Sequence, residues 1–444
     1  MLLKTALISA SALAVLAVTI PHAQAQTPAN ALFGGGGTLA AKLYRDVFNC
    51  YSTTADGIYS TSTPTSGTYP AGLNAKCTSH LSNAVAFGYE PVGSGAGLKA
   101  FDSGNTTTFG TPSATNPVAY LNAAAGISSA PYPEAEFVGS DAYLLATDIA
   151  AANAVDGGAA IFQIPTLATP ITLPVGQVNG VTLTTNNVCD VFSGQAAVPN
   201  NSGTQQIYVR ADGSGTSFIF SEWLSKNCTG TGAQGKAYAF TSTNGFPSTA
   251  PNWTAAHVGS LGVITPVTGS GGIASAVAGV KYSIGYVSPD YVQPIITTGV
   301  GGADYPAMVN GVAPTVATVT TRLSKLVVPA TYNNNIGATL NDTLASSAGT
   351  SGYPIVGFTF VDTYGCYSAT YAGGKIGTSA KGDLLKAELT STYNGGTFSL
   401  EAAQVIQASG FVSPPASVIS LFTGAGGPLS SSGINGTQCP AGRT

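Results

Sequence analysis

Extended apolar runs alternate with runs of helical spacing along most of this chain, and that alternation is the tightest constraint on its fold. The stretch "LAAKLYRDVFNCY" (39–51) puts Leu39, Leu43 and Val47 on one helical face, beside Ala40, Tyr44 and Phe48. "AVAFGYEPV" reads as a strand, "GAGLKAF" as the start of a helix, and "AEFVGSDAYL" as a strand running into a turn. "AAIFQIPTLATPITLPV" is a long extended segment broken by prolines, and "VCDVFSG" a short helix. "QIYVRAD" alternates as a strand. "SFIFSEWLSK" has helical spacing through Phe220, Trp223 and Leu224, and "YSIGYVSPDY" and "YPIVGFTFVD" are further strands. Strands interleaved with helices define an α/β class. Between about 225 and 350, runs such as "TGSGGIASAVAG" and "ATYNNNIGATLNDTLASSAGTSG" read as long polar loops on that body. No repeat of fixed period points to a solenoid or propeller.

The amino terminus sets the expected compartment. "MLLK" is a short cationic start, "TALISASALAVLAV" an apolar run too short to span comfortably, and "AQA" (Ala23 to Ala25) a small-x-small cleavage signal. Residues 1–25 therefore read as a secretory signal peptide, leaving about 419 residues for two lobes or two to three domains. No later stretch is apolar for the 18 or so residues a membrane helix needs, so the expectation is no membrane insertion and a location in the periplasm or outside the cell. Charged residues make up 8% of the chain and the net charge is −4, without a basic block, which argues against a nucleic-acid partner. The 44% hydrophobic content still suffices for real cores.

In an oxidising compartment six cysteines (50, 77, 189, 228, 366 and 439) read as three disulfides. Sequence order suggests Cys50–Cys77, Cys189–Cys228 and Cys366–Cys439, although fifteen pairings are possible. A zinc site is not expected: there is no C-x-x-C, and only His80 and His257 remain after the signal peptide. No metal or other cofactor is called for.

The candidate chemistry lies in loops that open helices. In "YVRADGSGTSFIF" (208–220), Arg210 is one of only four arginines. A helix starting near Ser214 presents unpaired N–H groups and partial positive charge. Gly213 and Gly215 allow close approach of a ligand, Ser214, Thr216 and Ser217 add hydroxyls, and Arg210 adds a two-pronged charged donor braced by Asp212. That set suits a small tetrahedral oxyanion. An ordinary Ser/Gly helix cap with a surface Arg–Asp pair accounts for this loop as well. "GGGGTLAAKLYRD" sets Gly37 and Thr38 at a second helix start and "PVGSGAGLKAF" sets Ser94 at a third; neither is a P-loop. Asp141, in "EFVGSDAYL", is either a helix cap or an acceptor. An ionised carboxylate only accepts hydrogen bonds, so it suits a protonated guest such as hydrogen phosphate and disfavours sulfate.

Together "GGGGTLAAKLY", "VGSGAGLKAF", "VGSDAYLLATDIA", "IFQIPTLATPITLPV", "VCDVFSG", "YVRADGSGTSFIF", "IGYVSPDYV", "SGYPIVGFTF" and "INGTQCPAGR" resemble the phosphate-binding proteins of bacterial phosphate uptake, and within them the DING branch. The tetrapeptide "DING" itself is replaced by "ALFGGGG". The resemblance implies a type II periplasmic-binding-protein fold: two α/β lobes, two hinge crossings and a ligand cleft between. Lobe 1 would comprise 26–165 and 350–444, and lobe 2 would comprise 166–349. The ligand contacts it implies are Thr38, the backbone N–H of Leu39, Ser94, Asp141, Arg210, Ser214, Gly215 and Thr216, with Asp212 supporting Arg210. It also fits disulfides Cys189–Cys228 and Cys366–Cys439, while Cys50–Cys77 rests on counting alone. The implied protein is a monomeric, non-enzymatic carrier of inorganic phosphate that hands its ligand to a membrane ABC permease. The alternatives are a secreted phosphatase and a structural or adhesive surface protein that reuses the fold.

Overall fold

The computed structural model describes residues 31–51, 86–105, 107, 135–242, 256–292, 305–346, 351–368, 377–436 and 439. The first sheet has the order β2-β1-β3-β9-β4. It is built from β1 (Ala31–Gly36), β2 (Ala86–Glu90), β3 (Phe137–Ser140), β4 (Ile161–Pro170) and β9 (Val356–Tyr364). β1 runs parallel to β2 and β3, whereas β9 is antiparallel to both β3 and β4. Every residue of β4 and β9 is buried, the polar Gln163, Thr166, Thr169, Thr359, Asp362 and Thr363 included. β4 passes through Pro165, and the strand absorbs it as a register irregularity between Pro165 and Leu167.

Three helices follow the first strands: α1 (Ala41–Tyr51), α2 (Ser94–Ser103) and α3 (Ala146–Val155). The α1 stripe read from the sequence is buried, and Phe48 stacks on Phe87 with ring centroids 4.6 Å apart. Beyond Pro170 the chain leaves this sheet, bridging Thr172 to Val287 and Val175 to Ile284. There it forms β5 (Thr182–Leu183), α4 (Thr185–Phe192), β6 (Gln205–Arg210) and α5 (Gly215–Asn227). β6 pairs in parallel with β7 (Gly262–Val267), from Gln205↔Gly262 to Arg210↔Val267. After β7 come α6 (Gly269–Gly279), β8 (Met308–Val309), α7 (Val316–Leu323) and α8 (Ile336–Ser346). The chain rejoins the first sheet at Val356, opposite Pro170, and ends in α9 (Ser379–Tyr393), α10 (Thr397–Ala408) and α11 (Ala416–Thr423).

Two readings of the sequence are corrected here. The region between about 225 and 350 is not a set of long loops, because "TGSGGIASAVAG" carries α6 and "IGATLNDTLAS" is α8. Small polar residues hide the stripes that fold these segments: Ile273, Ala274 and Val277 on α6, and Ile336, Leu340 and Leu344 on α8, all buried. Each buried Ile, Leu or Val among these stabilises by about 1.5–3 kcal/mol, enough to offset the poor helix propensity of glycine. "YSIGYVSPDY" is not a continuous strand either. It makes isolated bridges at Ile284 and Val287, then a short 3₁₀ turn at Pro289–Tyr291, where proline lacks the N–H a ladder needs.

Cys189–Cys228 ties α4 to the end of α5 across 5.4 Å between Cα atoms, and Cys366–Cys439 spans 5.6 Å. The expected Cys50–Cys77 bridge reaches Cys77, which lies outside the described residues. Among the described residues no helix is long and apolar enough to cross a membrane.

Candidate functional site

The loops singled out in the sequence meet. β1 gives way after Gly36 to Gly37, whose N–H donates to the Gly139 carbonyl at 2.7 Å while its own carbonyl accepts from Tyr89 Oη at 2.9 Å. These bonds bring the β1 and β3 loop ends together. A Cβ on Gly37 would lie 3.1 Å from both Asp141 Oδ1 and Ser94 Oγ. Ser94 is the first residue of α2 and fully buried, and its hydroxyl accepts from the Asp141 N–H at 3.3 Å. Thr38 is buried beside them. Leu39 turns its side chain into the core, so only its backbone can face this site.

The other side is built on β6 and α5. Arg210 ends β6 with only 1% exposure. Its Nε donates to Asp212 Oδ1 at 2.7 Å, and a second guanidinium nitrogen binds Asp212 Oδ2. Its backbone N–H donates to Tyr286 Oη at 2.9 Å. Ser214 caps α5, accepting from the Ser217 N–H at 3.2 Å. Gly215 opens the helix directly against Asp141: a Cβ there would lie 2.4 Å from Asp141 Cβ and 2.7 Å from its Oδ2. Only glycine admits that approach. The two sides also touch through Gly95 N–H, which donates to the Gly213 carbonyl at 3.2 Å.

All nine residues named from the sequence therefore lie at, or support, one region between the five-stranded sheet and the β6–β7 pair. One further residue was missed. Ser270, 1% exposed at the start of α6, accepts from the third guanidinium nitrogen of Arg210 at 3.3 Å and shares a 3.2 Å hydrogen bond with Thr38 Oγ1. Asp212 also accepts from the Gly269 N–H at 2.9 Å, which locks α6 to the Arg210 brace. A signal for Ser270 was present. The tripeptide G-S-G occurs at 93–95, 213–215 and 269–271, each time at a helix start.

The electrostatics are asymmetric. Burial pushes the Asp141 carboxyl up to about 7, against the opposing pull of Arg210 and the hydrogen bond with Ser94. Burial alone would lower Arg210, but Asp212 outweighs it and the guanidinium is raised. Burial likewise works to raise Asp212, yet Arg210 and the Gly269 N–H hold it below the usual carboxylate range. Asp141 Oδ2 and Thr216 Oγ1 are buried without a hydrogen-bond partner among the described residues. Buried polar atoms are normally paired, so a carboxylate acceptor and a hydroxyl lie unsatisfied where these loops meet. No group of three His, Cys, Asp or Glu able to hold a metal ion occurs among the described residues.

The five-stranded sheet and the β6–β7 pair, joined by two adjacent crossings with buried polar loops meeting between them, form a periplasmic-binding-protein-like architecture. The chain belongs to the PBP superfamily, whose domain matches residues 23–376. Within it, a phosphate-binding protein from an unknown prokaryotic organism is 30% identical over 340 residues, covering 66% of this chain and 81% of that protein. Alkaline phosphatase L of Pseudomonas aeruginosa (strain UCBPP-PA14) is 28% identical over 389 residues, 82% of each chain. Among solved structures, a high affinity periplasmic phosphate-binding protein (PfluDING) bound with phosphate superposes with a TM-score of 0.61 at 22% identity, covering 91% of this chain and 95% of that one.

Proposed function

We propose that this protein captures hydrogen phosphate between its two lobes as an exported carrier for ABC-type uptake, and that it breaks no covalent bond. The observation that carries the reading is Asp141. Its unpartnered Oδ2 is buried among Gly37, Ser94 and Gly215, across from a braced Arg210. In this reading Asp141 accepts the proton of hydrogen phosphate. Thr38, the Leu39 N–H, Ser94, Ser214, the Gly215 N–H, Thr216 and Arg210 donate to its oxygens. Asp212 cancels much of the Arg210 charge, so helix starts and dipoles supply most of the attraction. Sulfate brings no proton and would set two unprotonated oxygens face to face. Calorimetry with phosphate and sulfate at pH 8 tests this: tight phosphate binding without sulfate binding is expected, and equal affinity for both would end the reading.

Hydrolysis is the second reading, because a relative bears the name alkaline phosphatase L. Metal-free hydrolysis wants a nucleophile beside a base. Ser214 Oγ is engaged in capping α5, and His257 packs at Gly194 and Gly262. That is the opposite end of the β6–β7 pair from Arg210, about 16 Å away at strand rise. Turnover of a chromogenic phosphate ester by pure protein, abolished by Ser214→Ala, would revive hydrolysis.

A further inference from the structure

The two sides of the cleft are also joined outside it. Lys42 lies on α1, four residues beyond Thr38, and is only 6% exposed. Its ammonium sits 3.2 Å from the centroid of the Tyr291 ring and donates to the Asp290 carbonyl at 3.2 Å. The Asp290 side chain is buried too. Its Oδ1 accepts from Ser288 Oγ at 2.5 Å, and Oδ2 has no hydrogen-bond partner among the described residues. Burial pulls the Lys42 ammonium down, opposed first by Asp290 and then by Asp46. The Pro289–Tyr291 turn belongs with β6 and α6, because Tyr291 packs on the cluster of Tyr208, Ile273, Val277, Val287 and Val292. The contact thus runs from the body that carries Thr38 to the body that carries Arg210.

We propose that Lys42, Asp290 and Tyr291 form an interlobe clasp that sets how long the cleft stays closed on its ligand. The proposal rests on the phosphate-capture reading above. Lys42 is a positioning residue: it engages the second lobe from the same helix start whose first residues face the ligand. Contacts made only on closure act on release far more than on capture. A desolvated cation over an aromatic face, with a carbonyl acceptor, is strong enough to slow opening by about tenfold.

Stopped-flow phosphate binding and release on the full chain tests the clasp. Lys42→Met is expected to speed release by about tenfold while association stays within about twofold. Lys42→Arg keeps the charge over the ring and should restore slow release, and Tyr291→Phe should release as slowly as the parent. Tyr291→Leu should match Lys42→Met, and the double variant should add little to either. Unchanged release in both Lys42→Met and Tyr291→Leu overturns the clasp. So does a slowed association in Lys42→Met that Lys42→Arg does not repair, since that pattern reports only damaged structure. A parent protein that takes up no phosphate removes the binding reading instead. The clasp is then judged by small-angle scattering, where Lys42→Met as compact as the parent overturns it.

Discussion

Arg210 commits all three guanidinium nitrogens to protein partners, two to Asp212 and one to Ser270. It is therefore fixed in place before any anion arrives, and its ordering cost is met in folding rather than in binding. Arg210→Ala should weaken phosphate binding by about 2–5 kcal/mol, read by calorimetry, because a desolvated anion loses its charged donor. Asp141 behaves oppositely, since burial raises its carboxyl to about 7. A folded value above the unfolded one, about 3.9, means that the neutral form suits the fold. Its contribution to stability is then complete below about pH 4 and lost as pH rises through 7. Asp141→Asn should accordingly make the ligand-free protein more stable at pH 8 by a few kcal/mol, on the order of what that shift implies, with the difference vanishing near pH 4 in urea unfolding. The same variant should bind phosphate more weakly and admit sulfate. A variant that excludes sulfate as sharply as the parent would remove Asp141 from its selective role.

At the scale of elements, legibility followed the chemistry of the buried stripe. The stripe on α1, with Leu43, Val47 and Phe48, stood out in the sequence because its polar neighbours contrast with it. The Leu340 and Leu344 stripe on α8 lay among Asn, Thr, Ser and Gly, residues typical of turns, so local composition outvoted a spacing that was present. Leu340→Ala should cost about 2–5 kcal/mol in urea unfolding, as for a core helix; a surface loop would lose under 0.5 kcal/mol or so. The loops that meet at the candidate site were legible because Gly, Ser and Thr at helix starts are local features. Ser270 escaped because its helix did. Gly215 shows how tight these elements are at the site: with 2.4 Å between an added Cβ and Asp141 Cβ, Gly215→Ala must displace one loop or the other. Phosphate affinity measured by calorimetry should fall at least about tenfold, as when a binding geometry is misplaced by an ångström or so.

Across the whole molecule, contacts between distant segments left no trace in local sequence. Nothing near Lys42 announces Tyr291, and the convergence of Thr38, Asp141 and Arg210 became readable only through resemblance to a family. Phosphate joining both lobes should stabilise the entire chain. At a free concentration 100 times the dissociation constant, linkage adds about 2.7 kcal/mol, visible as a raised melting midpoint. Sulfate at the same concentration should leave the midpoint unchanged. The bridge Cys189–Cys228 joins two helices attached to β6, and Cys366 follows β9 directly before pairing with Cys439 near the C terminus. Neither staple crosses the paired strands at Pro170 and Val356 on which the halves would swing. Closing these two bridges can thus harden each half separately against heat and proteases while the jaw between them keeps its freedom to bite and let go.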